Sequence, residues 1–136
     1  MDDVAATLRI SAAGMRTQGT RLRVIAENIA NADSTPLQPG DVPYRRQVVT
    51  FRDTLDRKLG VDLVHVADVT DDPTPFPRRF DPGHPAADAS GYVMETNVNT
   101  LMEMTDMREA ERSYEANLNV IRATRNMLDE TIEILR

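Results

Sequence analysis

Apolar residues recur with helical spacing at both ends of the chain and lose that spacing in between. Across positions 4–29, alternate steps of four and three residues pick out Val4, Leu8, Ser11, Met15, Gln18, Leu22, Ile25 and Ile29, a heptad seam with two polar interruptions. From Met104 the same steps pick out Met104, Met107, Glu111, Tyr114, Leu118, Ile121, Arg125, Leu128, Ile132 and Leu135. The pattern predicts two long helices. The first should end near Ala30, because Asn31, Asp33 and Ser34 lead into Pro36 and a residue before proline is pushed out of the helical region. The second should begin near Thr100, with Asn97 or Asn99 as the cap whose side-chain oxygen satisfies first-turn amides. At 1.5 Å per residue they would be roughly 40 and 50 Å long.

Between them the chain changes character, since every proline lies between Pro36 and Pro85. Positions 44–51 read as a strand. Val61, Leu63, His65, Ala67 and Val69 alternate as a half-buried strand would. Positions 51–59 fit neither template, the prolines of 72–77 favour an extended connection, and 81–85 is turn-rich. Gly91, Tyr92, Val93 and Met94 can supply one more short strand. The expected fold is therefore mainly α with a small β segment. An antiparallel, coiled-coil-like pair of long N- and C-terminal helices flanks a short β-rich or extended middle, dividing the chain at 1–31, 32–96 and 97–136.

The faces of the helices carry more apolar surface than one hairpin needs. The expected intramolecular seam is Val4, Leu8, Met15, Leu22, Ile25 and Ile29 against Met107, Tyr114, Leu118, Ile121, Leu128, Ile132 and Leu135. With Leu8 and Met104 each labelled heptad position a, position c holds Ile10, Thr17 and Val24 in the first helix and Val120, Met127 and Ile134 in the second. Position e of the first is Ala5, Ala12, Gly19 and Ala26, and position b carries Arg9, Arg16 and Arg23. Position g, between c and d, is almost uncharged: Thr7, Gly14, Arg21 and Asn28, then Ala110, Asn117, Thr124 and Thr131. A mid-helix glycine such as Gly19 costs about 0.5–1 kcal/mol relative to alanine and so needs a packing reason. Burying one Ile, Val or Met contributes about 1.5–3 kcal/mol. The second stripe thus predicts a subunit interface of Ile10, Ala12, Gly19, Val24, Ala26, Val120, Met127 and Ile134, with Arg9, Arg16 and Arg23 as its charged edge. Acidic Glu115, Asp129, Glu130 and Glu133 are available to pair with that edge. The helices should be poorly ordered alone and completed by neighbours.

Composition narrows the function. At 136 residues there is room for one ordinary domain, and with 4% aromatics and no Trp the core must be aliphatic and Met-rich. A net charge of −6 with dispersed basic residues argues against nucleic acid. Without Cys there is no disulfide or thiolate metal site. No apolar run approaches a membrane span, and the acidic start is unlike a cleavable secretory signal. An enzyme would have to use His65, His84, Asp68, Asp71, Asp72, Asp81 and Asp88. Their spacing matches no zinc, calcium, nucleotide or nucleophile motif, so neither a catalytic site nor a cofactor is expected. His84, between Gly83 and Pro85, reads as a turn residue with a backbone hydrogen bond.

Two groups of residues carry a resemblance. Ser11-Ala12-Ala13-Gly14-Met15 with Asn28-Ile29-Ala30-Asn31-Ala32, and Asn97-Val98-Asn99, Glu103-Met104 and Arg112-Ser113-Tyr114-Glu115-Ala116-Asn117, resemble the paired terminal signatures of flagellar rod, hook and related axial proteins. Pro43-Tyr44-Arg45-Arg46, Phe80-Asp81-Pro82-Gly83-His84-Pro85, Asp88 and Gly91-Tyr92-Val93, with the short middle, are similar to the proximal-rod members. Thr96 departs from the proline common before the Asn-Val-Asn triplet. The resemblance implies a structural subunit of the bacterial flagellar basal body, exported unfolded by the flagellar type III apparatus without signal cleavage and assembled in the periplasmic rod that transmits torque. It implies as partners copies of itself, other rod proteins, the rod–ring junction protein and the membrane-supramembrane ring protein. The terminal helices would line the export channel. Heptads alone also suit a non-polymerising coiled-coil adaptor or secretion accessory protein.

Overall fold

The computed structural model describes residues 2–136. Its elements run α1 (Asp2–Ala30), β1 (Gln47–Asp56), β2 (Val61–Asp71), β3 (Arg78–Phe80), β4 (Tyr92–Met94) and α2 (Thr100–Ile134). Helix α1 opens with Asp2 and Asp3, carboxylates that complement the positive end of the helix dipole. It closes where Asn31 Nδ2 donates to the Glu27 carbonyl at 2.8 Å, satisfying an acceptor the helix cannot. Asn99 caps α2, its Oδ1 accepting from the amides of Leu101 and Met102 at 3.1 and 3.3 Å.

Strands β1 and β2 form one two-stranded sheet, and β3 and β4 another. The undecided stretch after position 51 continues β1 to Asp56. The strand ends in a turn where Asp56 Oδ1 accepts from the amides of Lys58 and Leu59. Gly60 closes it at φ +65°, a left-handed conformation that side chains disfavour. Strand β3 went unforeseen. It pairs antiparallel with β4, Arg78 opposite Met94, Arg79 opposite Val93 and Phe80 opposite Tyr92. Gly91, at φ +83°, lies where a Cβ would come within 2.9 Å of the Phe80 ring.

The chain forms two compact units, each drawing on both helices and on the middle. One contains α1 up to Leu22, Val49–Asp68 and Arg108–Arg136. Here α1 and α2 pack directly, because Gly14 has no side chain: a Cβ there would sit 2.6 Å from Asn117 Nδ2. Arg21 meets Glu109 at 3.5 Å. Moving seven residues along α1, from Gly14 to Arg21, thus moves eight back along α2, from Asn117 to Glu109, and the helices are antiparallel. The residues this pairing buries are Ser11, Ala13 and Thr17 on α1 and Ala110 and Thr124 on α2. Thr17 Oγ1 donates to the Ala13 and Gly14 carbonyls, so its burial leaves no hydroxyl unsatisfied.

The helix contact therefore runs along position g and its flanks instead of the a–d edge. Small and locally satisfied polar residues let the backbones approach more closely than an apolar ridge would. Four expectations change. Tyr114 is exposed at the margin of the contact. Ile132 and Leu135 are exposed because the Gly14–Asn117 register, carried twelve residues further, brings Asp2 opposite Asp129 and leaves the last turn of α2 with no α1 beside it. Val24, placed by the sequence on an outer stripe, is only 1% exposed. Of the remaining expected seam positions, Ile25 is buried, and Val4, Leu8, Met15, Leu22, Ile29, Met107, Leu118, Ile121 and Leu128 are half-buried.

The other unit contains Arg23–Val48 and Val69–Met107. Its core includes Val24, Ile25, Ala86 and Val93, and Phe80 and Tyr92 pack edge to face with centroids 5.3 Å apart. His84 Nδ1 accepts from the Ala86 amide at 2.9 Å and its Nε2 faces Thr35 Oγ1 at 3.1 Å, a turn residue held on both sides.

Candidate functional site

Among the described residues no three His, Asp or Glu side chains converge in a way that could hold a metal ion, and no helix is long and apolar enough to cross a membrane. The most organised chemistry in the molecule is a buried polar clasp in the second unit. At its centre is Asn28, on the last turn of α1 and 1% exposed. Its Nδ2 donates to the Gln47 carbonyl and to Glu103 Oε2, and its Oδ1 accepts from the Tyr44 hydroxyl and the Gln47 amide. All four hydrogen-bonding positions of the amide are thus used.

Glu103, one turn into α2, is fully buried. Its other oxygen accepts from Arg46 Nε. The Arg46 guanidinium also reaches Asp72 at 3.0 Å and Asp106 at 3.5 Å, and its backbone amide donates to Asn97 Oδ1 at 2.6 Å. Asn97 Nδ2 and Arg45 Nη1 both donate to the carbonyls of Asp72 and Thr74, while Arg45 stacks 4.1 Å above the Phe76 ring. The clasp ties the end of α1, the chain entering β1, the strap after β2 and the start of α2 to one another. Every group is engaged with another part of the chain, an arrangement that fixes geometry and offers no free nucleophile or base.

Burial raises the pKa of Tyr44 above 10.0, reinforced by Glu27, Glu103 and Asp71. For Arg46 burial works against the charge, but Glu103 and Asp72 outweigh it and the net shift is upward. Asp72 is held below 3.8, first by the Thr74 hydroxyl and amide, with burial opposing them and Arg46 adding to them. A depressed carboxylate stabilises the fold above its ordinary pKa and loses that contribution as pH falls through the lowered value. A phenol with a raised pKa stabilises below its ordinary value and loses the contribution as pH rises through the raised one. Melting temperature should therefore hold level between about pH 5 and 9 and fall on both sides. Asp72→Asn should flatten the acid limb and Tyr44→Phe the alkaline limb, and unchanged limbs would show that other groups govern them.

The outer faces are the second feature. Ile10, Val120, Met127 and Ile134 are exposed, Met127 to 64% and Ile134 to 84%. Arg9, Arg16, Arg23 and Ala26 are exposed and Ala12 and Gly19 half-buried. A Cβ on Gly19 would find nothing within 4 Å, so no contact within the chain requires glycine there. Beside the N-terminus of α2 an open cleft of about 530 Å³ is lined by Pro75, Pro77, Val98 and Met102, with Arg46 and Asp72 among its polar residues.

Sequence reasoning singled out none of Asn28, Tyr44, Arg46 or Glu103 as a site residue and offered Asn97 only as an alternative helix cap, a place that Asn99 takes, yet all five stand in the motifs that carried the resemblance. The motif residues, scattered over 76 positions of sequence, converge on the clasp.

Comparison with known proteins places this architecture. Residues 8–36 match the family model described as flagella basal body rod protein, and residues 89–134 match that of the flagellar basal body rod FlgEFG protein C-terminal region. The chain is 51% identical over 136 residues to the flagellar basal-body rod protein FlgC of Agrobacterium fabrum (strain C58 / ATCC 33970), covering 100% of this chain and 98% of that one. It is 38% identical to FlgC of Yersinia enterocolitica over 92% of each chain. With FlgC of Bacillus subtilis (strain 168) it shares 35% identity over 94% of this chain and 95% of that one.

Proposed function

This chain belongs to the FlgC family of flagellar basal-body rod proteins, and from that premise we propose that it is a self- and hetero-assembling subunit of the proximal rod, joining its neighbours through its terminal helices. The observation that carries the reading is the surplus of outward apolar surface on those helices, Ile10, Val120, Met127 and Ile134, on a chain whose Asn28 clasp is already satisfied. Contiguous apolar faces of this kind mark association surfaces. A rod of such subunits transmits torque, and its paired helices line the export channel. The partners are copies of itself, other rod proteins, the rod–ring junction protein and the membrane-supramembrane ring protein. Delivery is by the flagellar type III export apparatus to the periplasmic rod, without signal cleavage and without membrane insertion.

Of the residues first assigned to the interface, Ala12, Gly19, Ala26, Arg9, Arg16 and Arg23 remain in the proposal and Val24 leaves it, since a buried valine is not available to a neighbour. Deletion of the gene should abolish swimming, leaving the export apparatus assembled and no rod beyond its base, and the wild-type gene should restore both. A deletion strain that swims, or that builds full rods, overturns the proposal. A non-polymerising adaptor would instead settle at a small closed oligomer when purified with its partner.

A further inference from the structure

We propose that the face of α2 turned away from α1 is the wall that unfolded polypeptides slide past in transit, and that its alternating charge keeps chains of either sign from being held there. The inference rests on the reading of the paired helices as the lining of an export channel, and adds to it the face, the substrate class and the property that suits one to the other. With Met104 at heptad position a, position e of α2 holds Arg108, Glu115, Arg122, Asp129 and, just past the helix end, Arg136. The sign reverses at every heptad, about 10.5 Å along a helix. Beside this row, position b holds Arg112, Asn119, Asn126 and Glu133. All nine residues are exposed, and none forms an ion pair or a side-chain hydrogen bond with another described residue.

Position e lies about 160° around the helix from two other positions. One is g, where Ala110, Asn117 and Thr124 meet α1, and the other is c, the outward apolar stripe of Val120 and Met127. A helix built into a wall by its g and c sides turns e toward whatever is left, which in a hollow assembly is the bore. On α1 the outward Arg9 is met by Asp56 at the end of β1, whereas position e of α2 is exposed along its whole length from Arg108. The e and b positions from Arg108 onward offer no apolar side chain on which a passing segment could settle. A row of one sign would gather segments of the opposite sign. Opposite charges spaced by about one Debye length cancel each other's field beyond that distance. A chain moving along this row therefore meets attraction and repulsion in turn, and the hold on it does not grow with the length in contact.

The test replaces the gene in a strain lacking the native copy and follows secretion of two reporters exported through the same channel, one with a disordered acidic tail and one with a disordered basic tail. Glu115→Arg with Asp129→Arg makes the row basic. It should slow the acidic reporter about threefold, half a decade, and pass the basic one at the wild-type rate. Arg108→Glu with Arg122→Glu and Arg136→Glu makes the row acidic and should do the reverse. A neutral row, with Gln at 108, 115, 122 and 136 and Asn at 129, should pass both. Should a reversed row unfold the subunit, the single reversals Glu115→Arg and Arg122→Glu carry the same test at smaller amplitude. Equal passage of both reporters through every row, or slowing of both by the neutral row, overturns the proposal. So does a variant that keeps the wild-type thermal melt but is absent from purified basal bodies, because the face is then a contact between subunits, and the rod reading stands. Failure of the wild-type gene to restore swimming overturns the rod reading itself.

Discussion

Glu103→Leu is expected to destabilise the second unit by about 3 kcal/mol, the lower end of the range for removing one member of a buried ion pair. The leucine fits the volume and the helix, so the loss comes from what is left behind. Arg46 would lose its most buried partner and Asn28 Nδ2 one of its two acceptors. The loss stays near the lower limit because Arg46 still reaches Asp72 and Asp106 and is itself about one-fifth exposed. Glu103→Gln keeps the shape and one acceptor oxygen, so it should cost about half as much. Urea unfolding followed by circular dichroism measures both, with Arg46→Met, Glu103→Leu as the paired replacement. If the double variant is no more stable than Glu103→Leu alone, the stranded charge is not the cause. A Glu103→Leu variant within about 0.5 kcal/mol of wild type would mean the clasp contributes nothing to stability.

The same residues show what the sequence could and could not disclose. Helix ends were legible because they depend on local chemistry: Asn99 caps α2 through its own side chain, and Asn31 closes α1 through its own. Strand β2 was legible from alternation, whereas β3 was not, since Arg78, Arg79 and Phe80 are all exposed and three residues present no period. The helix contact was misplaced for a physical reason. A hydrophobicity template seeks the greasiest stripe, and the faces that meet are built from Gly14, Thr17, Asn28, Glu103, Ala110 and Thr124, chosen for small size or for satisfiable polarity. The lack of charge at position g was the available sign. Two charged residues broke it: Arg21 reaches out to Glu109, and Glu103, seven residues before Ala110, is buried against Asn28 and Arg46. The clasp was beyond reach of periodicity altogether, because Asn28, Arg46 and Glu103 meet only after the chain has folded.

That distinction between inward polar and outward apolar surface makes the second large effect separable from folding. Val120→Asp with Met127→Asp should leave the subunit's stability within about 1 kcal/mol of wild type, since both positions are exposed and on the same helix face one heptad apart. Assembly should respond very differently. Each side chain is worth about 1.5–3 kcal/mol when a neighbour covers it, so losing both weakens the contact by at least about a hundredfold, before any cost of burying two carboxylates. In the deletion strain this variant should be exported but absent from purified basal bodies, with swimming lost. Val24→Asp provides the contrast: a carboxylate at a position 1% exposed should unfold the subunit, lowering its level as well as its incorporation. Should the Val120, Met127 double variant enter rods at the wild-type amount, the outward stripe is a solvent-facing surface and the terminal helices must meet their neighbours through other faces.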